Sequence, residues 1–277
     1  EPYGPVQAGR VRGPAGRPPW RPPAPGTACA GSRPAPHRPG QPRFALDAIA
    51  RTFHALMTEV LGHARYGAQG GDWGSFVTAI LGAEHPGEVV GIHLNMMPVR
   101  RDAASAAAPT PEEKRWLDEL ALFLKEETGY QWIQGTRPQT LAAALVDSPA
   151  GLASWLFEKF QRWTDNAGDP RDALPLDTML ADISLYWFTG SIGASFWPYY
   201  ARMHAPWPIR DGAIRVPTGY AAFPREILRP PRSVCERAFT DIRRWTVMPR
   251  GGHFAALEQP EALAREIVEF FRPLRGR

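Results

Sequence analysis

The residues most able to do chemistry lie in one glycine-crowded turn, Gly70-Gly71-Asp72-Trp73-Gly74. The turn joins a short predicted strand to a predicted helix, because the run from Ser75 to Leu81 is apolar and unbroken. This is the context of a nucleophile elbow, whose pattern is small-x-nucleophile-x-small. Asp72 occupies the nucleophile position, and we expect glycine on both sides because so sharp a turn leaves no room for a Cβ atom at Gly70 or Gly74.

Two simpler interpretations of this turn stay open at this point. A glycine-rich turn before a helix can cradle a phosphate, but the stretch lacks the GxGxxG spacing and the Gly-Lys-Ser/Thr ending, and an acidic side chain would repel the anion. Asp72 could also be an ordinary turn or N-cap residue. The residues available to act with Asp72 must therefore decide.

An aspartate nucleophile needs a base that activates water and an acid that orients this base. In doubly wound hydrolases both follow the nucleophile along the chain, on loops at the carboxyl ends of strands. His253, presented by two glycines, follows the last predicted strand, and Glu226 follows the strand before it. Asp241 and Glu258 are rival acids, so position alone gives Glu226 only a modest advantage.

The hydrophobic pattern predicts the sheet that would hold these side chains. A helix begins near Phe44 and ends at Gly62, and the first strand, helix and second strand that follow are typical of a parallel βαβ unit. The predicted strands are residues 65–69, 88–95, 213–220 and 244–248. An amphipathic helix over residues 260–274 closes the chain. We therefore predict an α/β core made of residues 44–98 and 211–277.

The segment between these two parts, residues 99–210, is predicted to be a helical lid. Thr110-Pro111-Glu112-Glu113 has the sequence of a capped helix start, and Ser148-Pro149 opens another helix. Seven of the ten tryptophans lie in this insert, where they can form apolar walls around a small ligand. Most of them are expected to pack the core of the insert itself.

The composition is that of a globular protein, with 44% hydrophobic and 22% charged residues among 277. No apolar run reaches the roughly 18 residues of a membrane span, and no secretory signal pattern is visible. Cys29 and Cys235 are the only cysteines and lie far apart, which argues against a disulfide framework or a cysteine metal site. A reducing, cytoplasmic setting is the expectation.

Residues 1–43 differ from the rest of the chain. They hold twelve prolines, and seven arginines against the single acid Glu1, so they contribute +6 to the net charge of +4 and the remainder contributes −2. Without apolar periodicity such a segment cannot offset the entropy of ordering, so we predict a disordered tail. Binding to nucleic acid would depend on this tail alone, and we expect no nucleic-acid partner.

Four segments, taken together and in this order, resemble the microsomal-type epoxide hydrolases of the α/β-hydrolase superfamily. They are Gly70-Gly71-Asp72-Trp73-Gly74, Tyr186-Trp187-Phe188-Thr189-Gly190-Ser191-Ile192, Val216-Pro217-Thr218-Gly219 and Arg250-Gly251-Gly252-His253-Phe254-Ala255-Ala256. The resemblance runs from about Phe44 to the end of the chain. It implies the α/β-hydrolase fold and the opening of a small lipophilic epoxide by water to a vicinal diol, with no metal or organic cofactor.

The resemblance also implies a role for each candidate residue. Asp72 would be the nucleophile, His253 the base, and Glu226 the acid that orients it. Two lid tyrosines, Tyr130 and Tyr199, would donate hydrogen bonds to the epoxide oxygen, with Tyr200 as a substitute for the second. The backbone N–H of Trp73 would bind the oxyanion, and the substrate would contact Trp132, Trp187 and Phe254.

The sequence departs from the family in one respect. The His-Gly-x-Pro loop that normally supplies a second oxyanion donor is absent before Asp72, and only about four strands of a larger sheet are visible. One hypothesis is therefore a truncated or mis-translated epoxide hydrolase that retains the catalytic residues but folds poorly and is inactive. A hydrolase of the haloalkane dehalogenase type and a non-catalytic fragment with a basic interaction tail are the alternatives.

Overall fold

The structure is a computed structural model that describes residues 45–99 and 108–275. The predicted tail, residues 1–43, lies outside the described residues, as does the junction at 100–107 between the core and the insert. The described residues form a parallel sheet with helices packed on it and a group of helices between its second and third strands.

The sheet has four strands, as the sequence pattern predicts. They are β1 (Tyr66–Gly70), β2 (Val89–Leu94), β3 (Thr218–Ala222) and β4 (Ile242–Val247), and they lie side by side in chain order, every pair parallel. The carboxyl ends of all four strands therefore meet at one edge of the sheet, where the loops carrying the candidate residues begin.

Helices lie before, between and after the strands of the sheet. In the core they are α1 (Leu46–Ala55), extended by a π-helical turn (Leu56–Val60), and α2 (Asp72–Glu84). The insert holds α3 (Pro111–Glu126), α4 (Gly129–Thr136), α5 (Pro138–Asp147), α6 (Pro149–Trp163), α7 (Leu176–Thr189), α8 (Ile192–Ser195) and α9 (Trp197–Met203). After the insert come α10 (Arg232–Cys235), α11 (Ala255–Glu258) and α12 (Pro260–Phe271), with 3-10 turns at Pro170–Asp172 and Arg272–Leu274.

Proline residues account for two differences between the predicted and observed elements. β3 starts later than predicted because Pro217 has no N–H for the ladder, and the stretch before it makes only a single bridge, Ile214 to Phe239. The last helix stops at Phe271 because Pro273 cannot donate to the preceding turn, so the chain continues as a 3-10 turn. β4 begins two residues earlier than predicted.

The predicted helix starts of the insert are confirmed. Thr110 caps α3 by accepting a hydrogen bond from the backbone N–H of Glu113, and the Glu113 carboxylate accepts the N–H of Thr110 in return. Ser148 caps α6 by accepting the N–H of Gly151 at 3.0 Å. Each cap satisfies backbone donors that have no partner within the helix, and such caps are worth about 1 kcal/mol each.

Apolar residues of α2 and the strands form the main core beneath the carboxyl edge. Ile80, Ile92, Leu94 and Tyr220 are almost fully buried there. α12 also packs on β2 and β3, and Glu266 on this helix pairs with Arg244 of β4. These contacts fix the strand ends from which the site is built.

No single helix within the described ranges is long and apolar enough to cross a membrane. One adjacent pair, α5 and α6, meets the length and composition requirement only when joined, and the two helices are bent by 116°.

Candidate active site

Asp72 lies at the point where β1 ends and α2 begins. Its φ of 46° makes it the single non-glycine residue with positive φ among residues 45–99 and 108–275. A non-glycine residue in this left-handed backbone conformation carries strain of about 1–3 kcal/mol. Such strain persists only where the surrounding structure enforces it. The Asp72 carboxylate is about half exposed at the sheet edge, and the strand–turn–helix context expected of a nucleophile elbow is present.

The two glycines that flank Asp72 have different surroundings. A Cβ atom on Gly70 would lie 2.1 Å from the carbonyl oxygen of Gly74, so only glycine fits at this position. A Cβ atom on Gly74 would meet no atom within 4 Å. The predicted need for glycine is therefore confirmed at Gly70 and is wrong at Gly74. Gly74 crowds the turn through its backbone carbonyl.

The elbow is held from the neighbouring strand by Asn95. Its backbone N–H donates to the carbonyl of Gly70 at 3.2 Å, and its side-chain oxygen accepts a hydrogen bond from Gln69 at 2.9 Å. The Asn95 amide also fills the space where a Cβ on Gly71 would lie. These contacts join the ends of β1 and β2 on the approach to Asp72.

His253 and Glu226 form the closest pair of the site. Nδ1 of His253 lies 2.7 Å from Oε1 of Glu226, and both side chains are buried. A backbone bridge explains the pairing: the N–H of Arg225 donates to the carbonyl of Gly251 at 3.1 Å, which extends the β3–β4 ladder into the two loops. The other imidazole nitrogen, Nε2, lies 3.9 Å from Oδ2 of Asp72.

The rival acids have other contacts. The Glu258 carboxylate accepts the backbone N–H groups of Asp165, Gly252 and Phe254, and it thereby shapes the loop that carries His253. Asp241 pairs with Arg243 at the start of β4. Neither is hydrogen-bonded to the imidazole, whereas Glu226 is.

The insert contributes directly to the loop of the base. The backbone N–H of His253 donates to the carbonyl of Trp163 at 2.8 Å, and the N–H of Gly251 donates to the Asp165 carboxylate at 2.8 Å. The indole of Trp163 also lies edge-on to the imidazole, with ring centroids 5.1 Å apart. The last turn of α6 therefore helps to hold His253 in place.

The electrostatic environment favours a charged His253. Burial alone would lower its pKa, but the negative charges of Glu226 and Asp72 outweigh burial and raise the pKa to about 10. With Asp72 ionised, the imidazole is therefore protonated at neutral pH. Loss of the charge on Asp72 would remove one of the two groups that hold this proton.

A cavity of about 560 Å³ opens in front of Asp72, between the sheet edge and the insert. Tyr130 on α4 and Tyr199 on α9 both line it, with their ring centroids 5.7 Å apart. Tyr199 also lies edge-on to Trp73 at 4.8 Å. The two phenols and the carboxylate therefore face one small volume.

The surroundings of Tyr199 strongly disfavour its ionisation. Burial raises its pKa well above the usual value for tyrosine, and the negative charge of Asp72 raises it further. The neighbouring Tyr200, the candidate substitute, stacks instead on His204 with ring centroids 4.2 Å apart and is not among the residues that line the cavity.

The structure separates the three expected substrate contacts. Trp132 lines the cavity, together with Phe76, Met96 and Trp207. Phe254 lies behind the base, with its ring centroid 5.3 Å from that of His253. Trp187 packs against the core of the insert, around Ile192 and Phe196. It does not line the cavity in front of Asp72.

Trp73 occupies the second position of α2. The first backbone N–H groups of a helix have no partner within it, and they lie at the positive end of the helix dipole. The position of the Trp73 N–H, directly after Asp72, is therefore suited to binding negative charge on the Asp72 carbonyl oxygen. Within the described ranges, no group of three or more His, Cys, Asp or Glu side chains could hold a metal ion.

Several residues of the site give no clear signal in the sequence. Trp163 and Asp165 act through a main-chain carbonyl and a side chain of the insert, some ninety residues before His253 along the chain. Gln131 donates to the Tyr130 hydroxyl at 2.8 Å, and the Lys159 ammonium lies 4.3 Å from the centroid of the Tyr130 ring. The position of Gln131 next to Tyr130 is the one feature that could have drawn attention to it.

Known proteins with similar sequences include named epoxide hydrolases. A protein of Stigmatella aurantiaca provisionally named an epoxide hydrolase is 42% identical over 240 residues, which cover 87% of this chain and 54% of that protein. Epoxide hydrolase 1 of Oryctolagus cuniculus is 35% identical over 245 residues, covering 80% of this chain and 54% of its own length. The chain thus spans about half the length of the curated relatives it matches. No protein-family model matches it.

Solved structures give the same result. The juvenile hormone epoxide hydrolase of the silkworm Bombyx mori superposes with a TM-score of 0.76 and 28% identity, covering 85% of this chain and 61% of the silkworm chain. Aspergillus niger epoxide hydrolase superposes with a TM-score of 0.71 and 29% identity, covering 86% and 60%. The described residues therefore have the α/β-hydrolase fold. Within that fold, the chain is a relative of the epoxide hydrolases.

Proposed function

We propose that this chain opens epoxides to vicinal diols through a covalent ester of Asp72. One observation carries the proposal: the Asp72 carboxylate, the buried His253–Glu226 pair and the phenols of two tyrosines meet around one cavity. Two phenols beside the nucleophile favour an epoxide over a haloalkane, because an opening epoxide needs a proton and a departing halide does not.

In the first step a carboxylate oxygen of Asp72 attacks one carbon of the epoxide, and the bond from that carbon to the epoxide oxygen breaks. The oxygen leaves as a strongly basic alkoxide unless an acid protonates it. A phenol, Tyr130 or Tyr199, donates its proton to this oxygen. The products are a hydroxyalkyl ester of Asp72 and a tyrosinate.

The charge on His253 then makes the second step possible. Esterification removes the negative charge of Asp72, so the pKa of His253 falls from the raised value of the free enzyme. The imidazolium passes its proton to the tyrosinate, which restores the phenol. His253 is now neutral, hydrogen-bonded to Glu226 through Nδ1, and able to act as a base through Nε2.

In the second step His253 takes a proton from water, and the hydroxide attacks the carbonyl carbon of the Asp72 ester. The N–H of Trp73 stabilises the negative charge on the carbonyl oxygen. The ester bond breaks, and the diol oxygen takes the proton of the new Asp72 carboxyl group. Asp72 is again ionised and His253 again protonated, so the cycle balances as epoxide plus water giving diol.

The walls of the cavity suggest the class of substrate. Apolar and aromatic side chains make up most of its lining, and its volume of about 560 Å³ suits a small lipophilic epoxide. Styrene oxide is a convenient probe with these properties.

A single turnover in water labelled with oxygen-18 tests the covalent route. With enzyme in excess, the first diol should contain no label, because its new oxygen comes from Asp72. The peptide containing Asp72 should gain one labelled oxygen, which mass spectrometry detects. Label in the first diol with none in Asp72 would show direct attack of water and would overturn the proposal.

The matched control is Asp118→Asn, because Asp118 is an exposed carboxylate of α3 that pairs with Lys114 on the surface. This variant should incorporate label at Asp72 as the wild type does. Asp72→Asn should form neither ester nor diol. Diol formation by Asp72→Asn at the wild-type rate would contradict the assigned nucleophile.

A further inference from the structure

The two tyrosines of the cavity lie in opposite electrostatic surroundings. Lys159, on α6, places its ammonium 4.3 Å from the centroid of the Tyr130 ring and 5.0 Å from that of Trp163. Only 15% of the Lys159 side chain is exposed, so this cation is poorly screened by water. Its ammonium also pairs with the Glu158 carboxylate at 2.5 Å, and because that carboxylate is about half exposed, water screens its charge more than that of Lys159.

Gln131 adds a second interaction at the hydroxyl of Tyr130. Its side-chain Nε2 donates to the Tyr130 oxygen at 2.8 Å. A donor at this oxygen stabilises the phenolate more than the phenol, because the phenolate carries the greater negative charge. Since the phenol oxygen accepts this bond, its own proton is directed elsewhere. Tyr130 is also almost fully buried, so both interactions act away from bulk water.

Tyr199 faces groups of the opposite kind. Burial and the negative charge of Asp72 both raise its pKa, as would an ionised Tyr130, and they outweigh the contact with the Trp73 indole N–H, which acts in the opposite direction. The same carboxylate also lines the cavity that Tyr130 faces, and the charged His253 lies beyond Trp163, whose ring centroid is 5.3 Å from that of Tyr130. The two tyrosines thus share the negative charge of Asp72, and Tyr130 in addition has the Lys159 ammonium over its ring.

We propose that Lys159 and Gln131 make Tyr130 the tyrosine that gives up its proton to the opening epoxide, while Tyr199 holds the same oxygen as a hydrogen-bond donor. The proposal rests on the proposed function. In the first step the proton moves from the Tyr130 hydroxyl to the alkoxide as the carbon–oxygen bond breaks. The Lys159 ammonium and the Gln131 amide stabilise the Tyr130 phenolate until a proton from His253 restores the phenol.

Titration of the phenols tests this assignment without any turnover. Protein labelled with carbon-13 at tyrosine Cζ gives an NMR signal for each tyrosine, and Tyr130→Phe and Tyr199→Phe assign the two signals. Tyr130 should ionise at a lower pH than Tyr199. Lys159→Met should raise the ionisation midpoint of Tyr130 by about one pH unit, as expected for a desolvated cation near a ring, and Lys159→Arg should restore it.

The matched control is Lys114→Met, because Lys114 lies on a lid helix with its side chain 69% exposed. It should leave both midpoints unchanged. The assignment is wrong if Tyr199 ionises first, or if Lys159→Met leaves the Tyr130 midpoint where it was. Gln131→Met should raise the midpoint in the same direction as Lys159→Met, since it removes the donor to the phenol oxygen.

Rapid-quench measurement of ester formation gives a second readout. Lys159→Met should slow ester formation by up to about tenfold and leave ester hydrolysis unchanged, because one pKa unit corresponds to a factor of ten only when the proton is fully transferred in the transition state. Equal slowing of both steps, with a lowered melting temperature, would indicate a structural role only. If the wild type forms no ester, the proposed function fails, and the NMR titration still decides which tyrosine is the stronger acid.

Discussion

Nε2 of His253 lies 3.9 Å from Oδ2 of Asp72, a separation too long for a hydrogen bond and short enough for a strong charge interaction. The Asp72 carboxylate and the His253 imidazole are therefore coupled mainly through charge. The charge on Asp72 favours the protonated form of His253. Removing that charge is therefore an informative way to perturb the site.

Asp72→Asn should lower the pKa of His253. An opposite charge at this distance typically shifts a pKa by about 1–3 units, so the value should fall from about 10 by that amount while Glu226 keeps it above that of a free histidine. An NMR titration of the imidazole protons measures it. Asp118→Asn is the matched control, and an unchanged pKa in Asp72→Asn would show that the two groups are not coupled.

Glu226→Gln should allow the ester to form and should slow its hydrolysis by about 10²–10⁴-fold, because the base loses the charge that stabilises its protonated form. Intact-protein mass spectrometry after mixing with epoxide should show the ester accumulating. Glu258→Gln is the comparison, since Glu258 binds the backbone of the same loop. It should mainly lower the melting temperature, and accumulation of ester in this variant alone would identify Glu258 as the acid.

The free energy of unfolding should fall as pH rises above neutrality. The folded-state pKa of His253, about 10, exceeds the unfolded value near 6.5, so the imidazolium contributes stability that is complete below about pH 6.5 and is lost as pH approaches 10. The loss should be on the order of a few kcal/mol. Urea unfolding at pH 6, 8 and 10 measures it. His253→Gln should flatten this dependence, and an equal slope in both proteins would contradict it.

Gly70→Ala should destabilise the protein much more than Gly74→Ala. A Cβ on Gly70 would lie 2.1 Å from a backbone carbonyl that cannot move without shifting α2, so we expect a cost of about 3 kcal/mol or more. Gly74 has open space and lies in a helix, where alanine is favoured by up to about 1 kcal/mol. Thermal unfolding of the pair gives the comparison, and similar melting temperatures would contradict it.

The strands and the main helices of the fold could be predicted because their signals are local. The apolar run of β2 and the Thr110 and Ser148 caps each depend on a few adjacent residues, and all three are present in the structure. Strand ends were less predictable because Pro217 affects the ladder only through its pairing with β2. The short helices of the insert were missed because tertiary packing, more than sequence periodicity, stabilises helices this short.

Some residues of the candidate site could likewise be predicted from the sequence, and others could not. Asp72, Glu226 and His253 follow strands that the sequence pattern predicts, so their meeting at one edge of the sheet is a consequence of topology. Lys159 and Trp163 reach the site from a helix of the insert, whose placement over the sheet is set by contacts between residues distant along the chain. Asn95 contributes mainly by filling the space beside Gly71, which no sequence pattern records.

The bonds from Trp163 and Asp165 to the loop of His253 set a limit on how this chain can be recombined with its relatives. An exchange of insert helices that ends at Trp163 would bring in a foreign residue at position 165 and leave the Gly251 N–H without its carboxylate. Chimaeras in which the exchanged segment extends through Asp165, with a compatible glycine-rich loop, would keep the base in register. The boundary for transplanting the lid therefore lies beyond the end of its helix.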